Sequence, residues 1–139
     1  MYNHILLAAD GSENALRAAR EAAKIAKLCS HTVVTVIYVA HFEKSKTEVL
    51  YSSSAETLFL ERRKKITLVE QVFKDAQIQY KVEILKGIPG PEIVKYANNN
   101  GVDLVVIGSR GLNSLQEMVL GSVSHKVMKR VNCPALIVK

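Results

Sequence analysis

Apolar residues along this chain come in two rhythms, short unbroken runs and longer stretches with a helical period. Ile5-Leu6-Leu7-Ala8-Ala9 is unbroken and has the length of a strand buried on both faces. Ser12 stands at an N-cap position, and Leu16, Ala19, Ala23 and Ala26 then form one stripe of a helix predicted to run to about Leu28. Alanines in that stripe let a helix lie close to a sheet. Val33 to Val39 is a second, β-branched run. From Ala40 to Ser53 the chain is polar and without a period, and Ser53 and Glu56 then stand at capping-box spacing. The helix predicted there carries Phe59, Ile66, Val69 and Phe73 on its buried side. Tyr80 to Leu85 alternates as a strand with one more solvated face. Gly87, Pro89, Gly90 and Pro91 make a sharp turn, Pro91 suits the first turn of a short helix through Tyr96, and Asn98 to Gly101 stop it. Asp103 to Ile107 reads as a fourth strand, Gly108 to Gly121 as a glycine-bearing segment, Ser122 to Arg130 as a helix and Ala135 to Val138 as a last strand.

The resulting order is βαβαβαβαβ. Such alternation implies a parallel sheet with helices on both faces and right-handed crossovers. The 139 residues fill one domain, 1–139, with no linker. In open sheets of this kind ligands bind outside the carboxyl ends of the strands, where the winding reverses. The candidate chemistry is therefore sought in the turns after the strands.

Composition narrows the field. No apolar run approaches the roughly 20 residues that span a bilayer. The start, Met1-Tyr2-Asn3-His4, lacks the basic segment, apolar stretch and cleavage site of a leader. A cytoplasmic protein with no membrane partner is the expectation. The net charge of +6 suits phosphate-bearing ligands. Much of it sits in Glu61-Arg62-Arg63-Lys64-Lys65, which reads as a solvated helix face, and no stacking or zinc-finger pattern points to nucleic acid. Cys29 and Cys133 are far apart and read as buried, reduced thiols. His4, His31, His41 and His125 have no metal-ligand spacing, and no Ser-His-Asp set is visible.

Two strand-end turns remain. Asp10-Gly11-Ser12 reads first as a tight turn with a helix cap. Gly108-Ser109-Arg110-Gly111, then Gly121-Ser122 after nine residues, is richer. Gly108 and Gly111 let backbone approach a ligand without a Cβ, and Gly121-Ser122 opens a helix whose first N–H groups seat phosphate. Ser122 and Ser124 offer hydroxyl donors; Arg110 offers charge or points to solvent. Neither GxxxxGK[ST] nor GxGxxG occurs, so neither a P-loop motor nor a dehydrogenase is indicated.

The spacing Gly108-x-x-Gly111-x9-Gly121-Ser122 resembles the G-2x-G-9x-G-[S/T] motif of the ATP-binding universal stress proteins. The likeness extends to Ile5 to Ser12, Gly87-x-Pro89, Asp103 to Gly108 and Cys133-Pro134-Ala135-Leu136-Ile137-Val138, and so spans the chain. It implies a Rossmann-like, doubly wound five-stranded sheet in the order 3-2-1-4-5, with a nucleotide site between strands one and four. It implies that Val39 lies by the adenine, with Ala9 at the adenine pocket, and that Ile107 belongs to the nucleotide site. It further implies that Asp10 lies near the phosphates and their Mg2+, that Gly108, Gly111, Gly121, Ser122, Val123 and Ser124 hold the phosphates, and that Gly11, Ser12, Ser109 and Arg110 belong to the nucleotide site. The function expected is that of an ATP-binding regulatory or stress-response protein, with ADP or AMP as other occupants and an unassigned protein partner. A ligand-free protein–protein module and a slow ATPase are the alternatives; a hydrolase needs a positioned base, for which Asp10 is the candidate. The last strand, an apolar edge in the implied order, is expected to pair with a second copy in a homodimer.

Overall fold

The first strand, β1 (His4–Ala9), has no polar residue after His4, and Ile5, Leu6 and Leu7 are wholly buried in the centre of the sheet. The computed structural model describes residues 2–41, 55–110 and 120–139. Helix α1 (Glu13–Ala26) follows, then β2 (Val33–His41), α2 (Ala55–Lys64), α3 (Thr67–Asp75), β3 (Tyr80–Gly87), α4 (Pro89–Asn99), β4 (Leu104–Gly108), α5 (Ser122–Arg130) and β5 (Ala135–Val138). The strands form one parallel sheet in the order β3-β2-β1-β4-β5. This is the α/β architecture expected from the alternation of the two rhythms.

Because β1 and its neighbours are covered on both sides, side chains of alternating residues feed two cores. On one face Ile5, Leu7, Val34 and Val36 pack with α1 and with Ile66, Val69 and Phe73. On the other, Leu6, Ile37, Val105 and Ile107 pack with Ile93 and Ala97 of α4 and Val127 of α5. Each fully buried Leu or Ile contributes about 1.5–3 kcal/mol of transfer free energy. The face that α1 turns to the sheet is almost all alanine: Ala15, Ala18, Ala19, Ala22, Ala23 and Ala26 are buried.

Several boundaries differ from the sequence reading. The long helix after the polar segment is two helices, broken at Lys65 and Ile66. Ile66 takes φ −112° and ψ 7°, and its side chain is fully buried. The break is bridged by Arg63, which donates from Nη2 to Glu70 Oε1 at 2.9 Å; Tyr80 donates its hydroxyl to the same oxygen at 3.1 Å. Ala40 and His41 belong to β2, so Val39 lies two residues before the strand's end. Residues 42–54, which include the Ser53 half of the capping box, lie outside the described residues, as does the side chain of Phe59. Cys29 and Cys133 are unbonded as expected, but each is only half-buried.

Candidate functional site

The order of the strands reverses between β1 and β4, which pair directly, Ile5 with Leu104 through Leu7 with Val106. Three segments converge at the carboxyl ends of these two strands: the turn after β1, the turn after β4 and the first turn of α5. Ala9, Ile107 and Gly108 are buried there, and Val39 is buried in the adjoining β2.

The turn after β1 is built by its own residues. Asp10 accepts the Ser12 N–H on Oδ1 at 2.9 Å, Gly11 takes φ +85°, and the Ser12 hydroxyl accepts the Ala15 N–H at 3.1 Å as N-cap of α1. Gly11 is thus required by its left-handed backbone. Lys65, from the break between α2 and α3, covers this turn. Its carbonyl oxygen would stand 3.5 Å from a Cβ on Gly11, and its ammonium lies 5.9 Å from the centre of the Tyr38 ring. The charged run 61–65 therefore ends on the site, which periodicity alone did not reveal.

The turn after β4 is tied to its surroundings through Ser109. Its N–H donates to the Val138 carbonyl at 2.7 Å, and its carbonyl accepts from the Gly121 N–H at 2.7 Å and from the Ser124 hydroxyl at 3.0 Å. Its hydroxyl accepts from Asn14 Nδ2 at 3.3 Å. Arg17 donates from Nη2 to the Asn14 carbonyl oxygen, and from Nε to the Lys139 carbonyl at 3.0 Å. Asn14 and Arg17 were not singled out from the sequence; an asparagine in the first turn of a helix reads there as part of the cap. Gly108 also has a reason beyond ligand approach: a Cβ on it would stand 2.8 Å from Asn14 Cβ, so the glycine lets α1 lie against β4.

Gly121, with φ −61° and ψ 155°, is the N-cap of α5, and among the described residues no side chain caps the helix. Its first turn holds no acidic residue. Ser122 is exposed, Val123 half-buried and Ser124 buried; the Ser124 hydroxyl also lies 3.0 Å from the Gly121 carbonyl. Ser124 therefore spends its hydrogen within the protein, whereas Ser122 faces outward. The first amides of a helix carry partial positive charge and need acceptors, which makes this end a seat for an anion. Arg110 is half-buried beside Gly121: a Cβ there would stand 3.4 Å from Arg110 Cα. Gly111 lies outside the described residues. Among the described residues no three His, Cys, Asp or Glu side chains group to hold a metal ion, and no helix is long and apolar enough to cross a membrane.

A family model described as the universal stress protein family matches residues 1–139. Among curated relatives, universal stress protein MJ0531 of Methanocaldococcus jannaschii is 33% identical over 141 residues, covering 100% of this chain and 83% of its own. Among solved structures, that of MJ0577 from the same organism superposes with a TM-score of 0.85 at 33% identity, covering 100% of this chain and 96% of the other. A universal stress protein in complex with cAMP superposes with a TM-score of 0.75 at 25% identity, covering 99% and 97%.

Proposed function

We infer the function from a plain premise: this chain belongs to the universal stress protein family. It binds an adenine nucleotide, ATP before ADP or AMP, and acts as a nucleotide-dependent regulatory protein of the cytoplasm. The observation that carries this reading is the start of α5. The helix opens at the switch point of the sheet with no side-chain cap among the described residues, and its first amides suit an anion. Gly121, Ser122, Val123 and Ser124 line the phosphates with Gly108, Ser109, Arg110 and Gly111, while Ala9, Val39 and Ile107 border the base. The relative held with cAMP, an adenine nucleotide on the same fold, supports the ligand class.

Mg2+ fits as a companion of the nucleotide and not as a resident ion. It commonly takes one or two carboxylates and completes its shell with phosphate oxygens and water. Asp10 supplies that carboxylate: Oδ1 is held by the Ser12 N–H, which fixes the group at the end of β1. Binding without turnover is the reading, because hydrolysis needs a base set on a water, and Asp10 is held as a turn acceptor.

A second copy pairs with β5. The Pro134 carbonyl, just before this strand, accepts from Val105 and the Val138 carbonyl accepts from Ser109, so alternation turns the N–H and carbonyl of Ile137 to the open edge of the sheet. All four strand residues are half-buried in the single chain.

Denaturing the purified protein and identifying released nucleotide by chromatography and mass spectrometry tests the central reading. An adenine nucleotide is expected. A protein that releases none, and takes up neither ATP, ADP nor AMP in calorimetry, is the ligand-free interaction module instead.

A further inference from the structure

The direction of one hydrogen bond decides what the Ser109 hydroxyl does. Asn14 and Ser109 are 3.3 Å apart, amide nitrogen to hydroxyl oxygen. Arg17 fixes which end of the amide faces which neighbour. A guanidinium has donors only, and Arg17 Nη2 bonds the Asn14 carbonyl oxygen. The NH2 end of Asn14 must therefore face Ser109, and an amide NH2 donates without accepting. Ser109 receives a hydrogen from Asn14 and directs its own hydrogen elsewhere. None of the bonds formed among the described residues consumes that hydrogen: the other three at Ser109 use its backbone N–H and carbonyl.

The arrangement is closely packed. Asn14 is 8% exposed, and α1 lies so close to β4 that its backbone carbonyl carbon would stand 3.0 Å from a Cβ on Gly108. Arg17 is anchored in turn by the last residue of the chain, through its bond to the Lys139 carbonyl. The Ser109 carbonyl is bonded to Gly121, the residue that opens α5, so the hydroxyl belongs to the turn that meets the uncapped amides.

We propose that Asn14, oriented by Arg17, is a positioning residue that makes the Ser109 hydroxyl a dedicated donor to a phosphate oxygen of the bound nucleotide. The proposal rests on the nucleotide reading above. It gives a physical reason for a neutral amide at this position: one end must accept from a guanidinium and the other must donate to a hydroxyl. Aspartate has acceptors at both ends. With aspartate at position 14, the Arg17 contact and the packing survive, but the Ser109 hydroxyl turns and donates to the carboxylate, and the ligand loses its donor.

Calorimetry with ATP and with adenosine on the full chain tests this. Asn14→Asp and Ser109→Ala are each expected to weaken ATP binding about 10- to 100-fold, the worth of one hydrogen bond to a charged group. Combined, they are expected to fall within about twofold of Ser109→Ala alone, because both remove the same interaction. Asn14→Ala removes more packing and melts lower, yet leaves the hydroxyl free, so it weakens ATP less than Asn14→Asp does. Adenosine affinity stays unchanged throughout. Wild-type affinity in Asn14→Asp, losses that multiply in the double variant, or a worse defect in Asn14→Ala would each overturn the proposal while leaving nucleotide binding intact. A wild type that binds no adenine nucleotide overturns the nucleotide reading and the proposal with it.

Discussion

Replacing Gly108 by alanine tests the close fit of α1 against β4. The new Cβ would stand 2.8 Å from Asn14 Cβ, 3.0 Å from Asn14 C and 3.1 Å from Asn14 O. Two of these are backbone atoms of a helical turn, so no side-chain rotation relieves the overlap. Reaching an ordinary contact of about 3.5 Å requires a displacement of about 0.7 Å. That displacement must carry α1, whose Ala18, Ala19 and Ala22 are fully buried against the sheet. Overpacking of this kind costs about 1–3 kcal/mol. An unfolding entropy of about 2.1 cal/mol/K per residue, or about 0.3 kcal/mol/K for this chain, converts the cost to a fall in Tm of about 3–10 °C. Thermal unfolding followed by circular dichroism measures it. Gly121→Ala is the control: its Cβ meets atoms at 3.3 Å and beyond, so it costs less than about 1 kcal/mol. A Gly108→Ala protein that melts within about 1 °C of wild type, or above Gly121→Ala, would refute the argument.

Gly121→Val should abolish ATP binding in calorimetry while the protein still melts cooperatively, since a β-branched side chain intrudes on the phosphate seat; unchanged affinity would remove that seat from α5. Asp10→Ala should weaken Mg·ATP more than metal-free adenosine, and equal losses would reduce Asp10 to a turn former. Burial, with the Glu70 hydrogen bond, raises the Tyr80 pKa above its ordinary 10.0. Its contribution to stability is therefore complete below pH 10 and is lost as pH rises through the folded value. Ultraviolet titration should show a late-ionising tyrosine that Tyr80→Phe removes, and a titration identical in Tyr80→Phe would contradict this. Ile137→Pro removes an outward N–H without touching the bonds to β4, so light scattering should shift from dimer to monomer; a monomeric wild type at micromolar concentration rejects the pairing.

The strands were legible because each is apolar, short and bounded by turn residues, and α5 and β5 match the sequence reading residue for residue. The cap at Ser12 was legible because capping chemistry is local. The break at Ile66 was not. Arg63, Lys64 and Lys65 all favour a continuing helix, and what stops it is the burial of Ile66 together with the Arg63–Glu70–Tyr80 contacts, which join three elements. The same holds at the site. Its glycine spacing could be read along the chain, but Asn14 and Ser109 are 95 positions apart and Arg17 and Lys139 are 122 apart. Only the folded sheet brings them together. Gly108 was legible as a glycine position, yet part of its reason lies in α1 and not in a ligand.

The alanine face of α1 makes the two sides of the sheet unequal under random mutation. At Ala15, Ala18, Ala19 and Ala22 there is almost nothing left to shorten, so nearly every amino-acid change enlarges the side chain and pushes on a helix that is already in contact. On the opposite side Leu6, Ile37, Ile93, Ile107 and Val127 have methyl groups to lose and similar residues to exchange with. A saturation-mutagenesis map of this chain should therefore show an almost blank stripe along α1, and the neutral drift of its core should run through the aliphatic side chains of both layers and hardly at all through this helix face.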